Sequence, residues 1–319
     1  MPLGAHMSIA GGIDRAAERG RAAGCEAIQI FTRNSNRWEA RPVEGEEIER
    51  FRRSLDGNGI RAVVAHASYL INLGSPDPAL RERSVRALAA ELDRCDRLGI
   101  PHLVLHPGAH MGTGEEAGLE RVRTALERVV GARPPGGAEV CLETTAGQGT
   151  CLGHRFEHFR HLIEHSAVAG RLGFCLDTCH LLAAGYDLRT RNGYRSVMGR
   201  FDRLVGLDRV RVIHLNDAKR GLGSRVDRHE HIGRGCVGVE AFRCLLRDRR
   251  FAGVPKLLET PKGKDGTAAD RRNLAVLRRL GACPSIGLGR VACAAGPDAR
   301  KRDPGQCSDR LLGRGGNGT

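Results

Sequence analysis

The sequence predicts an α/β chain closed into a (β/α)8 barrel. Eight short, β-rich apolar runs recur along it, and polar-flanked segments with helical spacing separate most of them. Strands that alternate with helices pair in parallel through crossover helices. Eight such units closing on themselves make a barrel, whereas an open doubly wound sheet usually has fewer strands and a nucleotide fingerprint after the first.

In chain order the runs are Leu3 to His6 (LGAH), Ala27 to Phe31 (AIQIF), Ala62 to His66 (AVVAH), Leu103 to His106 (LVLH), Val140 to Glu143 (VCLE), Phe174 to Asp177 (FCLD), Val212 to Leu215 (VIHL) and Lys256 to Glu259 (KLLE). Between them, Pro78 to Leu98, Glu115 to Val130, Phe156 to Ser166, Val239 to Arg247 and Ala268 to Leu280 carry helical spacing. The barrel is expected over residues 1–283, close to the roughly 250 residues typical of a TIM barrel. Residues 284–319 form a basic Gly/Arg-rich tail with no aromatic residue and no period, and disorder is expected there.

At 319 residues, 40% hydrophobic and 28% charged, the chain is ordinary globular material, which excludes collagen, coiled coil and wholesale disorder. Lys+Arg 51 against Asp+Glu 37 gives a net charge of +14 and a pI near 9.8. Such an excess concentrates a polyanion such as nucleic acid, although a basic proteome would produce the same balance. Eleven cysteines are scattered singly without a Cys-x-x-Cys pair, and no charged and apolar leader opens the chain. A reduced, cytoplasmic enzyme is therefore expected. No apolar run approaches the roughly 18 residues of a membrane span.

The informative residues stand at the carboxyl ends of the runs: His6, His66, His106, Glu143, Asp177, His214 and Glu259. In a barrel these ends converge on one mouth, so positions far apart in sequence point into one cavity. His180, three residues after Asp177, and the pair Asp227 and His229 fall just beyond strand ends. Imidazole mixed with carboxylate, without thiolate, suits zinc first and also manganese or iron, whereas magnesium and calcium prefer oxygen alone. The set exceeds what one tetrahedral ion needs, so more than one ion is expected, with a carboxylate bridging two. Ions about 3.5–4 Å apart activate water and stabilise the leaving oxygen of an in-line phosphoryl displacement. Together with the basic charge, this points to phosphodiester hydrolysis.

Seven segments carry a specific resemblance: GAHMSIAGG (4–12), HASYLINLGS (66–75), VLHPGAHMG (104–112), CLETTAGQG (141–149), GFCLDTCHLLAAGYD (173–187), IHLNDAKRGLGSRVDRHEHIGRG (213–235) and LLETPKG (257–263). In order and content they resemble the endonuclease IV family of abasic-site DNA repair enzymes, across residues 3 to 281. The resemblance implies a hydrolase that cuts double-stranded DNA 5′ of an abasic site, leaving a 3′-hydroxyl and a 5′-deoxyribose phosphate, and that trims damaged 3′ ends. It implies three zinc ions, with manganese able to replace one. One zinc would be held by His66, His106 and bridging Glu143, a second by Glu143, Asp177, His214 and Glu259, and a third by His180, Asp227 and His229. Glu143 and Glu259 would be catalytic through the metals they hold. Tyr69 and Leu70 resemble the residues that push into the DNA at the lesion, where a missing base makes extrusion cheap. In the loop FTRNSNRW (31–38), Arg37 and Asn36 compete for a place in the helix, and Arg37 is taken as the DNA contact. A monomer without nucleotide cofactor or membrane partner is expected, associated with the nucleoid through DNA.

Other features have plainer readings. His6 matches its motif without being one of the implied ligands, which suggests that it backs them. His154, His158, His161 and His165 form a stripe at i, i+4, i+7 and i+11, and with no carboxylate at local spacing the stripe is read as a helix face. His231 is the nearest rival to His229, while His102 and His110 are expected behind the ligands or facing solvent. Gly233 to Gly238 satisfies GxGxxG but follows a loop, so the dinucleotide reading fails. The main alternative function is a metal-dependent sugar isomerase or epimerase on the same barrel, which needs one or two ions, no third site and no wedge. A non-catalytic zinc-binding module is a third reading.

Overall fold

The computed structural model describes residues 1–263 and 266–282, so the tail expected over 284–319 lies outside the described residues. Eight parallel strands close into a barrel, each hydrogen-bonded to the next: β1 (Leu3–His6), β2 (Ala27–Phe31), β3 (Ala62–His66), β4 (His102–Leu105), β5 (Glu139–Glu143), β6 (Leu172–Asp177), β7 (Val210–His214) and β10 (Lys256–Leu258), which returns to β1. The expected runs match these staves with shifts of one or two residues at the ends. β4 stops at Leu105 and β10 at Leu258, so His106 and Glu259 sit one residue past the ladder. Two short strands, β8 (Asp217–Ala218) and β9 (His229–Glu230), pair antiparallel within the long loop after β7.

The connecting helices are α1 (Arg15–Ala23), α2 (Gly45–Gly57), α3 (Pro78–Leu98), α4 (Glu115–Gly131), α5 (Phe156–His165), α6 (Thr178–Ala183), α7 (Arg191–Leu204), α8 (Val239–Arg247) and α9 (Ala268–Gly281). Local chemistry sets their ends. Asp77 caps α3 by accepting from the Ala79 N–H at 2.9 Å, with Pro78 in the first turn, and Gly99 closes the same helix at φ 74°. None of these described helices is long and apolar enough to cross a membrane.

Alternation along the staves creates two cores. Ala27, Val64, Val104, Cys141, Cys175, Val212 and Leu257 point inward and fill the barrel. A larger shell, including Phe51, Phe156, Phe159, Phe174, Phe201, Phe242 and Phe251, packs the staves against the helices. Gly4 is needed where β1 meets β2, because a Cβ there would collide with the Ala27 carbonyl. With the interior plugged by apolar side chains, polar strand-end groups are left to converge on the mouth.

Candidate metal centre at the barrel mouth

Nine side chains expected as ligands meet at the carboxyl ends of the staves. Glu143, at the end of β5 and fully buried, stands in the middle. Its Oε2 lies 3.0 Å from His106 Nε2 and 3.3 Å from His66 Nε2. Its Oε1 lies 2.8 Å from His214 Nδ1 and 3.3 Å from His180 Nδ1. Glu259 Oε2 approaches His214 Nδ1 at 3.2 Å, and Asp177 Oδ2 lies 3.8 Å from the same nitrogen and 3.7 Å from His229 Nε2. Asp227 reaches His180 Nε2 at 3.2 Å and His229 Nε2 at 3.6 Å. Glu143 therefore touches two groups of imidazoles with its two oxygens.

The histidine tautomers show what the cluster is built for. A carbonyl oxygen can only accept, so the ring nitrogen facing it carries the hydrogen. His66 Nδ1 donates to the Ala67 carbonyl at 2.7 Å, His180 Nδ1 to the Thr144 carbonyl at 2.8 Å, and His229 Nδ1 to the Glu259 carbonyl at 3.2 Å. In each ring Nε2 is thereby the bare nitrogen, and in each it faces a carboxylate. The buried Nε2 atoms of His180 and His229 have no hydrogen-bond partner. A lone pair aimed at a carboxylate is repulsive unless a proton or a cation lies between them. Imidazoles held by outer acceptors, with their free nitrogens beside carboxylates, fit a zinc-type cation.

The electrostatics agree with that geometry. Burial opposes ionisation of Glu143, but His214 and His106 outweigh it and hold its pKa well below the ordinary value. Asp227 and Glu259 are depressed against the same opposition, by the His180 hydrogen bond and by His214 respectively. Burial would lower His214, yet Glu259 and Glu143 raise it to about 9. His180 is raised well above its ordinary value, burial being outweighed chiefly by Asp177 and the Asp227 hydrogen bond. Without another cation, the mouth recruits protons to balance its carboxylates.

Several supporting residues escaped the sequence reading. Thr144 Oγ1 accepts from the Asp177 N–H at 2.9 Å, in addition to its carbonyl's bond from His180. Asn216 Nδ2 donates to Asp177 Oδ2 at 2.6 Å and its Oδ1 accepts from the Glu259 N–H at 2.7 Å. Their signal was adjacency to strand-end ligands in LETT and HLND. Gln29 bonds to both His214 and Glu259; a single polar residue inside an apolar run was its signal.

Asp217 is fully buried and accepts from four backbone N–H groups, those of Ala218, Gly233, Gly235 and Val237, at 2.8–3.1 Å. The GxGxxG pattern thus wraps the protein's own carboxylate. Gly235 is required because a Cβ would strike the Ala218 carbonyl and Asp217 Oδ1. This knot fixes both ends of the loop that carries Asp227 and His229. His231 pairs with Asn273 on α9 at 3.1 Å, away from the cluster, whereas His229 faces it.

Tyr69, 62% exposed, packs its ring within 5.3–5.9 Å of Phe31, His66 and His106 at the rim of the mouth. Leu70 beside it is half-buried, and Arg37 and Asn36 are exposed. Their loop is anchored by Arg33, whose Nε donates to Glu91 Oε1 at 2.8 Å with both side chains nearly fully buried. Thr32 donates to the other Glu91 oxygen at 2.6 Å.

The histidine stripe needs correcting on two counts. α5 begins at Phe156, so His154 precedes the helix. A carboxylate does join the stripe, because Glu115 of α4 lies 3.4 Å from His154 Nε2 and 3.1 Å from His158 Nε2. Local spacing hid this contact, which only the packing of α4 beside α5 creates. His158 Nδ1 accepts from the Gly153 N–H, so its Nε2 must donate to Glu115 and neutral His158 has no lone pair left for a metal. The buried Cys175 and Cys179 thiols near the mouth are pushed up by desolvation and stay protonated.

Comparison with known proteins places this mouth. A family model described as "Xylose isomerase-like TIM barrel" matches residues 17–280. "Probable endonuclease 4" of Chloroflexus aurantiacus (strain J-10-fl) is 54% identical over 278 residues, covering 87% of this chain and 97% of that protein. Among solved structures, endonuclease IV from Thermus thermophilus is similar with a TM-score of 0.76 at 39% identity, covering 88% of this chain and 98% of the other. D-psicose 3-epimerase from Clostridium cellulolyticum shares the fold at a TM-score of 0.64 but at 16% identity, over 89% and 100% of the two chains. The epimerase likeness is one of fold alone, and the chain belongs to the endonuclease IV family.

Proposed function

We propose that this protein is a zinc-dependent endonuclease that hydrolyses the DNA phosphodiester bond 5′ of an abasic site, leaving a 3′-hydroxyl and a 5′-deoxyribose phosphate, and that it also trims damaged 3′ ends. The observation that carries the reading is the set of imidazoles whose bare nitrogens face carboxylates across one mouth. Endonuclease 4 relatives at about half identity support DNA as the substrate.

His66, His106 and Glu143 would hold one zinc, Glu143, Asp177, His214 and Glu259 a second, and His180, Asp227 and His229 a third, one of which manganese can replace. Bound there, the ions supply an activated water and positive charge for the leaving 3′-oxygen. Glu143 keeps two groups of ligands in register through its two oxygens. Thr144 holds the Asp177 main chain, while Asn216 and the His180 N–H each donate to one oxygen of its carboxylate and fix its rotation. Tyr69 and Leu70 on the rim fill the stack beside the lesion, and Arg37 reaches the duplex from the loop anchored by Arg33 and Glu91. Such a wedge trades unstacking for a bent duplex, and the missing base lowers that cost at the lesion.

The test is incision of a duplex oligonucleotide carrying one tetrahydrofuran abasic analogue, which resists β-elimination. Wild type should cut 5′ of the analogue and leave a 3′-hydroxyl, and both Glu259→Gln and chelator-treated enzyme should lose the cut. Folded, metal-loaded protein that leaves the analogue intact would sink the proposal, and isomerisation of a free ketose by the same sample would install the sugar isomerase reading instead.

A further inference from the structure

We propose that Gln29 is a positioning residue for the metal centre: its one side-chain amide fixes the tautomer of His214 and the orientation of the Glu259 carboxylate at the same time. The proposal rests on the metal reading above. Gln29 is fully buried in β2, a stave that ends on Phe31 rather than on a His, Asp or Glu. It sits two residues beyond Ala27 of the apolar plug, among the imidazoles and carboxylates of the mouth, and burying an amide is tolerated only when its hydrogen bonds are made.

The bonds it makes determine one another. Gln29 Nε2 lies 2.6 Å from Glu259 Oε1, and an ionised carboxylate only accepts, so the nitrogen of the amide must face it. The amide oxygen is then left 2.8 Å from His214 Nε2 and must accept from it. His214 therefore carries its hydrogen on Nε2, which leaves Nδ1 to face Glu143 at 2.8 Å and Glu259 at 3.2 Å. The second N–H of the amide points to His6 Nδ1 at 3.1 Å. Turning the amide over would set its oxygen against the Glu259 carboxylate, losing that bond, and its NH2 against His214 Nε2, forcing the hydrogen of His214 onto Nδ1. One orientation satisfies every group, and it is the one that presents His214 Nδ1 and Glu259 together. His6, the strand-end histidine left without a metal, is accounted for as the acceptor of the amide's remaining hydrogen.

The test uses the full chain loaded with zinc and dialysed against a graded series of a competing chelator, with zinc per chain measured at each step. Gln29→Met keeps the length and apolar stem but makes neither bond. Loss of an outer-sphere partner of this kind lowers metal affinity by about 10–100-fold, so the variant should release one zinc per chain at correspondingly less chelator. With cobalt in place of zinc, its d–d absorption should differ from wild type. Gln29→Glu, which retains an acceptor for His214 but turns an oxygen toward Glu259, should also release zinc early and decides the matter if the methionine variant does not fold. Zinc release and cobalt spectra equal to wild type would overturn the proposal, including when only the melting temperature of the metal-free protein falls. A wild-type chain that takes up neither zinc nor cobalt would overturn the metal reading and this proposal with it.

Discussion

Asp217→Asn should loosen the loop that carries Asp227 and His229 while leaving the barrel closed. In the wild type the Asp217 carboxylate receives two N–H groups on each oxygen, Ala218 and Val237 on Oδ1 and Gly233 and Gly235 on Oδ2. Asparagine turns one oxygen into an NH2, and whichever way it sits, two backbone donors meet a donor. Hydrogen bonds to a charged acceptor contribute about 1.5–3 kcal/mol each, so the lost pair costs the closed loop roughly 3–6 kcal/mol. Such a change lowers the protection of its amides against exchange by roughly 10²–10⁴-fold. Hydrogen exchange read by mass spectrometry on peptides covering residues 217–237, against peptides from β5 and β6 as internal control, measures it. Faster exchange confined to the loop is expected, with weaker retention of the metal proposed to bind at Asp227 and His229. Unchanged loop protection would refute the argument that this carboxylate ties the loop.

Three further outcomes follow from the same geometry. Zinc binding to metal-free protein at pH 7.5 should release protons, because His214 is raised to about 9 and is protonated in the empty mouth; calorimetry in two buffers of different ionisation enthalpy reads the count, and zero protons would contradict it. Tyr69→Ala should weaken binding to duplex with an abasic site by roughly 10–100-fold, since stacking on one exposed aromatic contributes about 1–3 kcal/mol; equal affinity in a filter or anisotropy assay would remove Tyr69 from the wedge. Burial drives Lys256 down to about 8 from 10.5, its ammonium being held by the Phe251 and Val254 carbonyls. Below pH 8 that buried charge costs the fold, and between pH 8 and 10.5 the folded state sheds the proton that the unfolded state keeps. Stability should therefore climb across that window in wild type and not in Lys256→Met, and parallel melting curves against pH would contradict this.

The site was largely legible because barrel geometry converts a local pattern into a spatial one. A His, Asp or Glu at the end of an apolar run is a local fact, and parallel closure brings all such ends to one mouth. His66, Glu143, Asp177 and His214 could be read from strand ends alone. Asp227 and His229 lie on no stave; their place just beyond a strand end made them candidates, and the resemblance grouped them with His180. The parts that escaped depend on contacts between elements distant in sequence. Glu115 meets His154 and His158 across the packing of α4 and α5, Glu91 meets Arg33 and Thr32 from α3, and Gln29 meets Glu259 across 230 positions. No periodicity within one window can report a hydrogen bond of that kind.

By itself, then, the sequence determined the alternation of strand and helix, the end of each stave on which a polar group stands, and the residue types suited to a hydrolytic metal centre. Those follow from side-chain period and donor chemistry, which are properties of short segments. Tertiary structure decided which nitrogen of His66, His180, His214 and His229 is bare, that Glu143 faces two groups of imidazoles, and that the glycine-rich loop encloses Asp217 rather than a phosphate. Each is settled by the partner on the far side of the group, a carbonyl or a carboxylate brought in by another element, and such partners exist only once the barrel has closed.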